Sequence, residues 1–257
     1  DIVALGTDIA NLSSAAMAQL SSRQVAALTS DQINALDSAD WSALTSVAVA
    51  GLTPTQIALL SGADIIALST DIANLNTAAM QSLDSVQMNA FTTAQVAELD
   101  HVDLAVMSSG AFNALGTDDL GVLTSDAVSG MTSVQVDTLS TADIQALGND
   151  LSSLSSAAMQ SIDLQQASAI LSTQLDSFSS DDIHAMTAQA LSNLSTLAMA
   201  SLDSAQIEGF TAQQVAAFGT EDYAALGVTG VDAGAEITLL SDITSHKADI
   251  NVNSVGE

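Results

Sequence analysis

The chain has no cysteine, one proline and only 2 basic residues among 257. Without cysteine there are no disulfides, no thiolate metal sites and no cysteine nucleophile. With 30 acidic residues against the 2 basic ones, the formal charge is −28. A polyanion of that size is repelled by phosphate backbones and anionic membrane surfaces, which excludes nucleic acid as a partner. Aromatic residues make up 3% of the chain, so any core is finely divided and built from Ala, Leu, Ile and Val. No run approaches the ~20 apolar residues that span a bilayer, so membrane insertion is not expected. The start, DIVALGTDIANL, lacks the basic segment and apolar run of a signal peptide. Asp1 in place of Met is expected of a processed or trimmed chain, with any export signal outside it.

What the chain has in abundance is one short phrase. SSAAMAQL (13–20), SSRQVAAL, TSDQINAL, DSADWSAL, TSVAVAGL, TPTQIALL and SGADIIAL (61–68) follow one another without a gap. The shorter STDIANL (69–75) interrupts, the phase resumes through STADIQAL (140–147), GNDLSSL (148–154) interrupts again, and the phase holds to GTEDYAAL (219–226). A longer echo overlies this one. GTDIANL, STDIANL and GNDLSSL each precede an xxAAM octapeptide, as if a larger block were copied with unequal numbers of octapeptides. Such periodicity has to be read before anything else, because it decides the fold.

Large residues confirm the phase. Trp41, Phe112 and Tyr223 fall at position 5, and Phe91, Phe178, Phe210 and Phe218 at position 8; every Met also falls at one of the two. No acidic residue occupies either position in the octapeptides to Leu226. Two positions of eight are therefore expected to face the core. Three apart means one face of a helix but opposite faces of a strand. Yet at about 100° per residue a continuous helix overshoots two turns by about 80° every eight residues. The apolar stripe would wind around it, so the helix must stop and restart in every octapeptide.

Position 1 supplies the restart. It is Ser, Thr, Asp, Asn or Gly in nearly every octapeptide, the residues that accept N-cap geometry; Leu171 is the exception. Thr29/Gln32, Thr53/Gln56, Thr92/Gln95 and Thr132/Gln135 have the spacing of a capping box. Pro54 follows cap Thr53, the first helical position, where a missing N–H costs nothing. Helices of about six residues do not persist alone in water, so they must stack. The predicted fold is mainly α: an elongated solenoid of short capped helices, one per octapeptide, over 1–226. The seven-residue segments should shift the phase and mark a bend or block junction. Over 227–257 the pattern gives way to glycine turns and period-two alternation around Ile237, Leu239, Ile250 and Val252, read as a small β segment.

Chemistry is sparse. His101, His184 and His246 each lack a second His or thiol at ligand spacing and read as solvent-facing residues. Ser and Asp are too common for a Ser/His/Asp set to carry information, and no catalytic residue is assigned. Calcium is the one ion weighed, because Asp118–Asp119, Asp181–Asp182 and Glu221–Asp222 pair carboxylates at positions 3 and 4. No EF-hand loop or GGxGxDxUx nonapeptide accompanies them. The same acids sit in first helical turns, where the dipole favours them. No other cofactor is called for.

SSRQVAAL, TSDQINAL, TPTQIALL and TTAQVAEL resemble the Ala/Leu-rich [ST]-x-x-Q-[IV]-x-x-L tracts of very large RTX-type, type I-exported bacterial surface proteins and adhesins. AALGVTGVDAGAEITLL (224–240) resembles the junctions between blocks in those proteins. The resemblance implies a secreted or cell-surface location and no catalytic residues. The expected role is an extracellular structural protein, either the subunit of a filament or matrix or the rod segment of an adhesin. Its ends, with Ile2, Val3 and Leu5 at one and strand edges at 235–240 and 247–255 at the other, suit self-association into polymers, with other surface proteins or glycans as further partners. The alternative is a solenoid module binding a peptide or glycan in its groove; an enzyme is not expected.

Overall fold

A computed structural model describes residues 2–227. The β segment expected within 227–257, with its strand edges, and His246 lie outside the described residues. The described octapeptides fold as the repeat requires, each into one α-helix of four to six residues followed by a turn. Among the described residues there is no strand. Residue 1 of each octapeptide is extended and residue 2 begins the helix: Thr29 has φ −77° and ψ 163°, and the helix runs Ser30–Ala35. The Thr29 hydroxyl accepts from Gln32 N at 3.3 Å while the Gln32 amide oxygen accepts from Thr29 N at 3.0 Å. Pro54 opens helix Pro54–Ile57 as its spacing predicts. At Leu171 half the box survives, since Gln174 Oε1 still accepts from Leu171 N at 3.0 Å.

The chain forms two compact units, one ending at Gly130 and one beginning at Met131. Within each, the packing obeys one rule: a helix lies against the third element before it and the third after it. In the first unit Ser22–Ala26 packs on Ser46–Val49, which packs on Ser69–Asn74, which packs on Thr93–Val96. In the second, Leu164–Ala169 packs on Ala188–Ser192 and that on Ala212–Ala216. Each unit is thus a solenoid-like stack of coils, built almost wholly from near-neighbour contacts. Long-range side-chain hydrogen bonds within the units join residues between 24 and 31 apart, which measures one coil.

Positions 5 and 8 fill the core as expected, with Trp41, Ile57, Leu60, Phe112 and Met159 all buried. The expectation of two inward positions needs correction, because position 4 is inward too. Ala48, Ala79, Ala127 and Ala158 are fully enclosed there, as are Gln32, Gln56, Gln95 and Gln166. Position 4 precedes 5 on the helix and faces the coil below, so only a methyl group or a polar group with partners fits. Where coils pass closest, even a methyl group is too large. A side chain on Gly51, Gly130 or Gly209 would overlap the backbone of Ser22, His101 or Ser180.

The seven-residue segments are built differently. Each is a 3-10 helix, Ser69–Asn74 and Gly148–Ser153, both without a side-chain cap, and the latter part of Ile2–Asn11. The preceding Leu68 or Leu147 stays helical, and the next residue swings to a left-handed φ: Ser69 at 51° and Gly148 at 53°, matched by Gly6 at 52°. Gly227, one residue past the last octapeptide, also has a positive φ, 83°. These residues mark the starts of blocks, of which 69–147 and 148–226 are equal in length. They do not interrupt the stacking, because Ser69–Asn74 keeps its neighbours three elements away on both sides.

Candidate functional site

The recurrent chemical feature of the molecule is the contact between coils, and position-4 glutamine makes it. Gln56 Oε1 closes the cap by accepting from Thr53 N at 2.9 Å. Its Nε2 reaches the coil below and donates to Val25 O at 2.8 Å and Leu28 O at 3.0 Å. Gln87, Gln166, Gln206 and Gln214 repeat the pattern on the position-5 and position-8 carbonyls of an earlier octapeptide. Below a block junction the left-handed residue supplies the second carbonyl: Gln95 bonds Ile65 O and Ser69 O, and Gln174 bonds Ile144 O and Gly148 O. One amide therefore satisfies one helix's unpaired N–H and ties two coils, at no cost in unpaired groups. The sequence shows the cap but not this second use, whose signal is that position 4 carries Gln, never Glu.

Asp takes position 4 in other octapeptides, including Asp40, Asp64, Asp103 and Asp222. A carboxylate closes the same box: Asp64 Oδ2 accepts from Ser61 N at 2.9 Å and from its hydroxyl at 2.7 Å. It has no N–H with which to bond the coil below. Burial raises Asp103 from 3.8 to about 6, and the neighbouring Asp100 charge adds to this against the cap hydrogen bond. Asp222 is also raised, chiefly by burial.

The six residues weighed for calcium divide by position. Asp118, Asp181 and Glu221 are exposed at position 3. Their neighbours Asp119, Asp182 and Asp222 turn inward and accept from Gly116 N at 3.0 Å, Ser179 N at 2.7 Å and Gly219 N at 2.8 Å. Each pair thus points two ways, with one carboxylate committed to its cap. Among the described residues, no three His, Cys, Asp or Glu side chains converge as a metal site would need.

His101 and His184 are both exposed, as expected for solvent-facing residues. His101 nevertheless has a partner the sequence does not reveal, on the next coil of the first unit. Its Nδ1 lies 3.1 Å from Asp126 Oδ2, and its backbone N–H donates to the same oxygen at 3.3 Å. The side-chain hydrogen bond, then the Asp126 charge, raises the imidazole's pKa, and the side-chain and backbone hydrogen bonds from His101 lower the carboxylate's. His184 borders an open cleft of about 270 Å³ in the second unit, together with Gln160, Thr187, Gln189, Thr211 and Gln213. Its lining holds no acidic or aromatic side chain apart from the imidazole.

Stretches 2–38, 69–101, 96–133 and 112–149 match the family model described as the ALTTAQ repeat. Residues 90–95 read AFTTAQ, one letter from that phrase, and place its final Gln at position 4. The chain is a repeat protein, similar to that family over these tracts. Neither a curated protein nor a solved structure matches it.

Proposed function

We propose that the chain is an extracellular structural protein of bacterial origin, the subunit of a surface filament or matrix or the rod segment of an adhesin, and that it assembles end to end. The observation behind this reading is where the polar side chains are spent. Hydroxyls, carboxylates and amides at positions 1 and 4 are consumed in caps and coil-to-coil bonds, repeated along both units. This is chemistry for holding a scaffold together rather than for converting a substrate. Stacked repeats bury apolar surface only against a neighbouring coil, so contact between copies would run head to tail, a heterologous contact that propagates. With −28 per chain, repulsion opposes assembly, and salt or calcium acts by screening it. Electron microscopy and sedimentation at rising calcium or salt should show polymers, weakened by deleting 235–257. A full chain that stays monomeric at high concentration with calcium would sink the proposal.

The second reading, a module for a peptide or glycan, draws on the cleft beside His184. Its amides and hydroxyls suit a neutral, hydroxyl-rich ligand. Saturation-transfer NMR with a panel of oligosaccharides tests it, with Gln189→Ala expected to abolish any transfer.

A further inference from the structure

Glutamine at position 3 of the octapeptide is a different case from glutamine at position 4. It occurs there three times, as Gln165, Gln189 and Gln213, each three octapeptides from the next. Because a helix packs on the third element before and after it, that interval puts all three on one side of the second unit. Their helices, Leu164–Ala169, Ala188–Ser192 and Ala212–Ala216, stack in that order. All three side chains are exposed, and none of their amides has a hydrogen-bond partner among the described residues. The amides of Gln166 and Gln214, one residue further on in their helices, are spent on caps and carbonyls. Nothing in the fold calls for glutamine at position 3, which elsewhere holds Ala, Val, Thr, Leu, Gly, Arg or an acid.

This row of amides runs through the cleft beside His184. Gln189 and Gln213 line the cleft from successive coils, with Gln160, Thr187 and Thr211 around them. Gln165 stands one coil earlier on the same side, outside the cleft. Packed helices lie roughly 8–10 Å apart, so the outer two amides are separated by roughly 16–20 Å. That is several times the width of one sugar ring. A ligand that reaches all three is therefore extended along the stack.

Charge and polarity select its class. The outward positions 2, 3, 6 and 7 of these three octapeptides carry no charged residue, and the chain's −28 repels an anionic polymer. A cationic polymer finds no carboxylate in the lining. The apolar groups there are Ala185, Ala188 and the buried Met186, too little to hold the side chains of a peptide. A primary amide donates and accepts at once, as a hydroxyl does, so repeated amides match repeated hydroxyls. We infer that Gln165, Gln189 and Gln213 form a binding strip for a neutral polysaccharide that lies along the stack and pairs its hydroxyls with successive amides. The inference rests on the second reading above, extends it from one cleft to three coils, and is independent of whether the chain polymerises.

The full chain is titrated with neutral gluco-, manno- and galacto-oligosaccharides from disaccharide to octasaccharide, by calorimetry and saturation-transfer NMR, with an uncharged peptide alongside. For the saccharide that binds, affinity should rise about tenfold once it is long enough to add Gln165 to the cleft residues. Gln165→Ala should remove that gain and leave the disaccharide unchanged. Gln189→Ala should weaken both, and Gln81→Ala, at an exposed glutamine of the first unit, neither. Circular dichroism should be the same for all, since each side chain is exposed. Binding without length dependence, unaltered by Gln165→Ala, would confine the ligand to the cleft, overturning the strip and leaving the glycan reading. Transfer from the peptide alone would overturn the inference, and no transfer from any saccharide would overturn it together with the glycan reading.

Discussion

Gln56 and Val25 belong to different coils of the first unit, yet the Gln56 amide donates to the Val25 carbonyl at 2.8 Å while its other end caps the helix that begins at Pro54. The cap and the coil-to-coil bond share one side chain, so helix start and coil stacking form together. This coupling is how elements of four to six residues, far too short to persist alone, hold a common structure.

Replacing Gln56 by Ala should therefore cost more than a cap. The Leu28 carbonyl and the Thr53 N–H lose their partner, at roughly 1–3 kcal/mol for each group left unpaired, while the Val25 carbonyl keeps the Leu28 N–H, and relaxation reduces the sum. A loss of about 2–4 kcal/mol in urea unfolding is expected. Gln24→Ala, which removes only a cap contact, should cost less than about 1 kcal/mol. Equal losses at the two positions would show that the coil-to-coil bond contributes nothing.

Leu171→Thr should stabilise. Leu171 is exposed at an N-cap with φ −82° and ψ 152°, and Gln174 already accepts from its backbone N–H. A threonine hydroxyl completes the box by accepting from Gln174 N. The gain should be about 1 kcal/mol, read as a rise in thermal midpoint.

Ser69→Gly should also stabilise, by roughly 0.5–1 kcal/mol, because a left-handed conformation strains any residue with a Cβ. Ser69 stands at 51° where the equivalent block starts have Gly6 and Gly148. The Ser69 carbonyl still serves Gln95, so no hydrogen bond is given up. An unchanged or lowered midpoint would count against strain at this junction.

Acidification should strengthen the first unit through Asp103. Its pKa is about 6 in the fold against 3.8 for the free group, raised chiefly by burial. Between those values the folded chain holds a proton that the unfolded chain has released, so stability falls as pH rises from about 4 to 6. Asp103→Asn should remove that slope and raise stability at pH 7. The comparison is the difference between wild-type and variant curves, because acid also relieves the overall repulsion. His101 and Asp126 act oppositely at the low end: their pairing is lost as pH falls through the lowered Asp126 pKa, and lost again as pH rises through the raised His101 pKa. Parallel curves for the wild-type chain and the Asp103→Asn variant, without any difference in slope, would refute the assignment.

Much of this was legible in the sequence because positions 5 and 8 carry large residues and position 1 carries caps. Trp41, Phe91 and Met107 set the phase, and Thr29 with Gln32 announced a helix start. Position 4 was not, because Ala, Gln and Asp alternate there and no hydropathy scale groups them. The coil period was equally hidden: a short helix buries the same residues whichever neighbour covers them, and only the pairing of Gln56 with Val25 and Leu28 counts the octapeptides between. Left-handed Ser69 was hidden for a local reason, since serine at that place reads as one more cap. The calcium pairs look alike as letters, but the helix separates them, sending Asp182 to its cap and Asp181 to solvent.

The offset built into the glutamine contact bears on how such a gene can change. Each octapeptide finds its partners by counting back along the chain, so adding or removing whole octapeptides gives every survivor a new neighbour of the same kind. The segment 6–68 is two octapeptides shorter than 69–147 and 148–226, yet Gln32, Gln95 and Gln174 make the same pair of bonds in all three. Copy number is thereby freed from selection on the fold. Gain or loss of whole octapeptides can therefore lengthen or shorten this protein without breaking it.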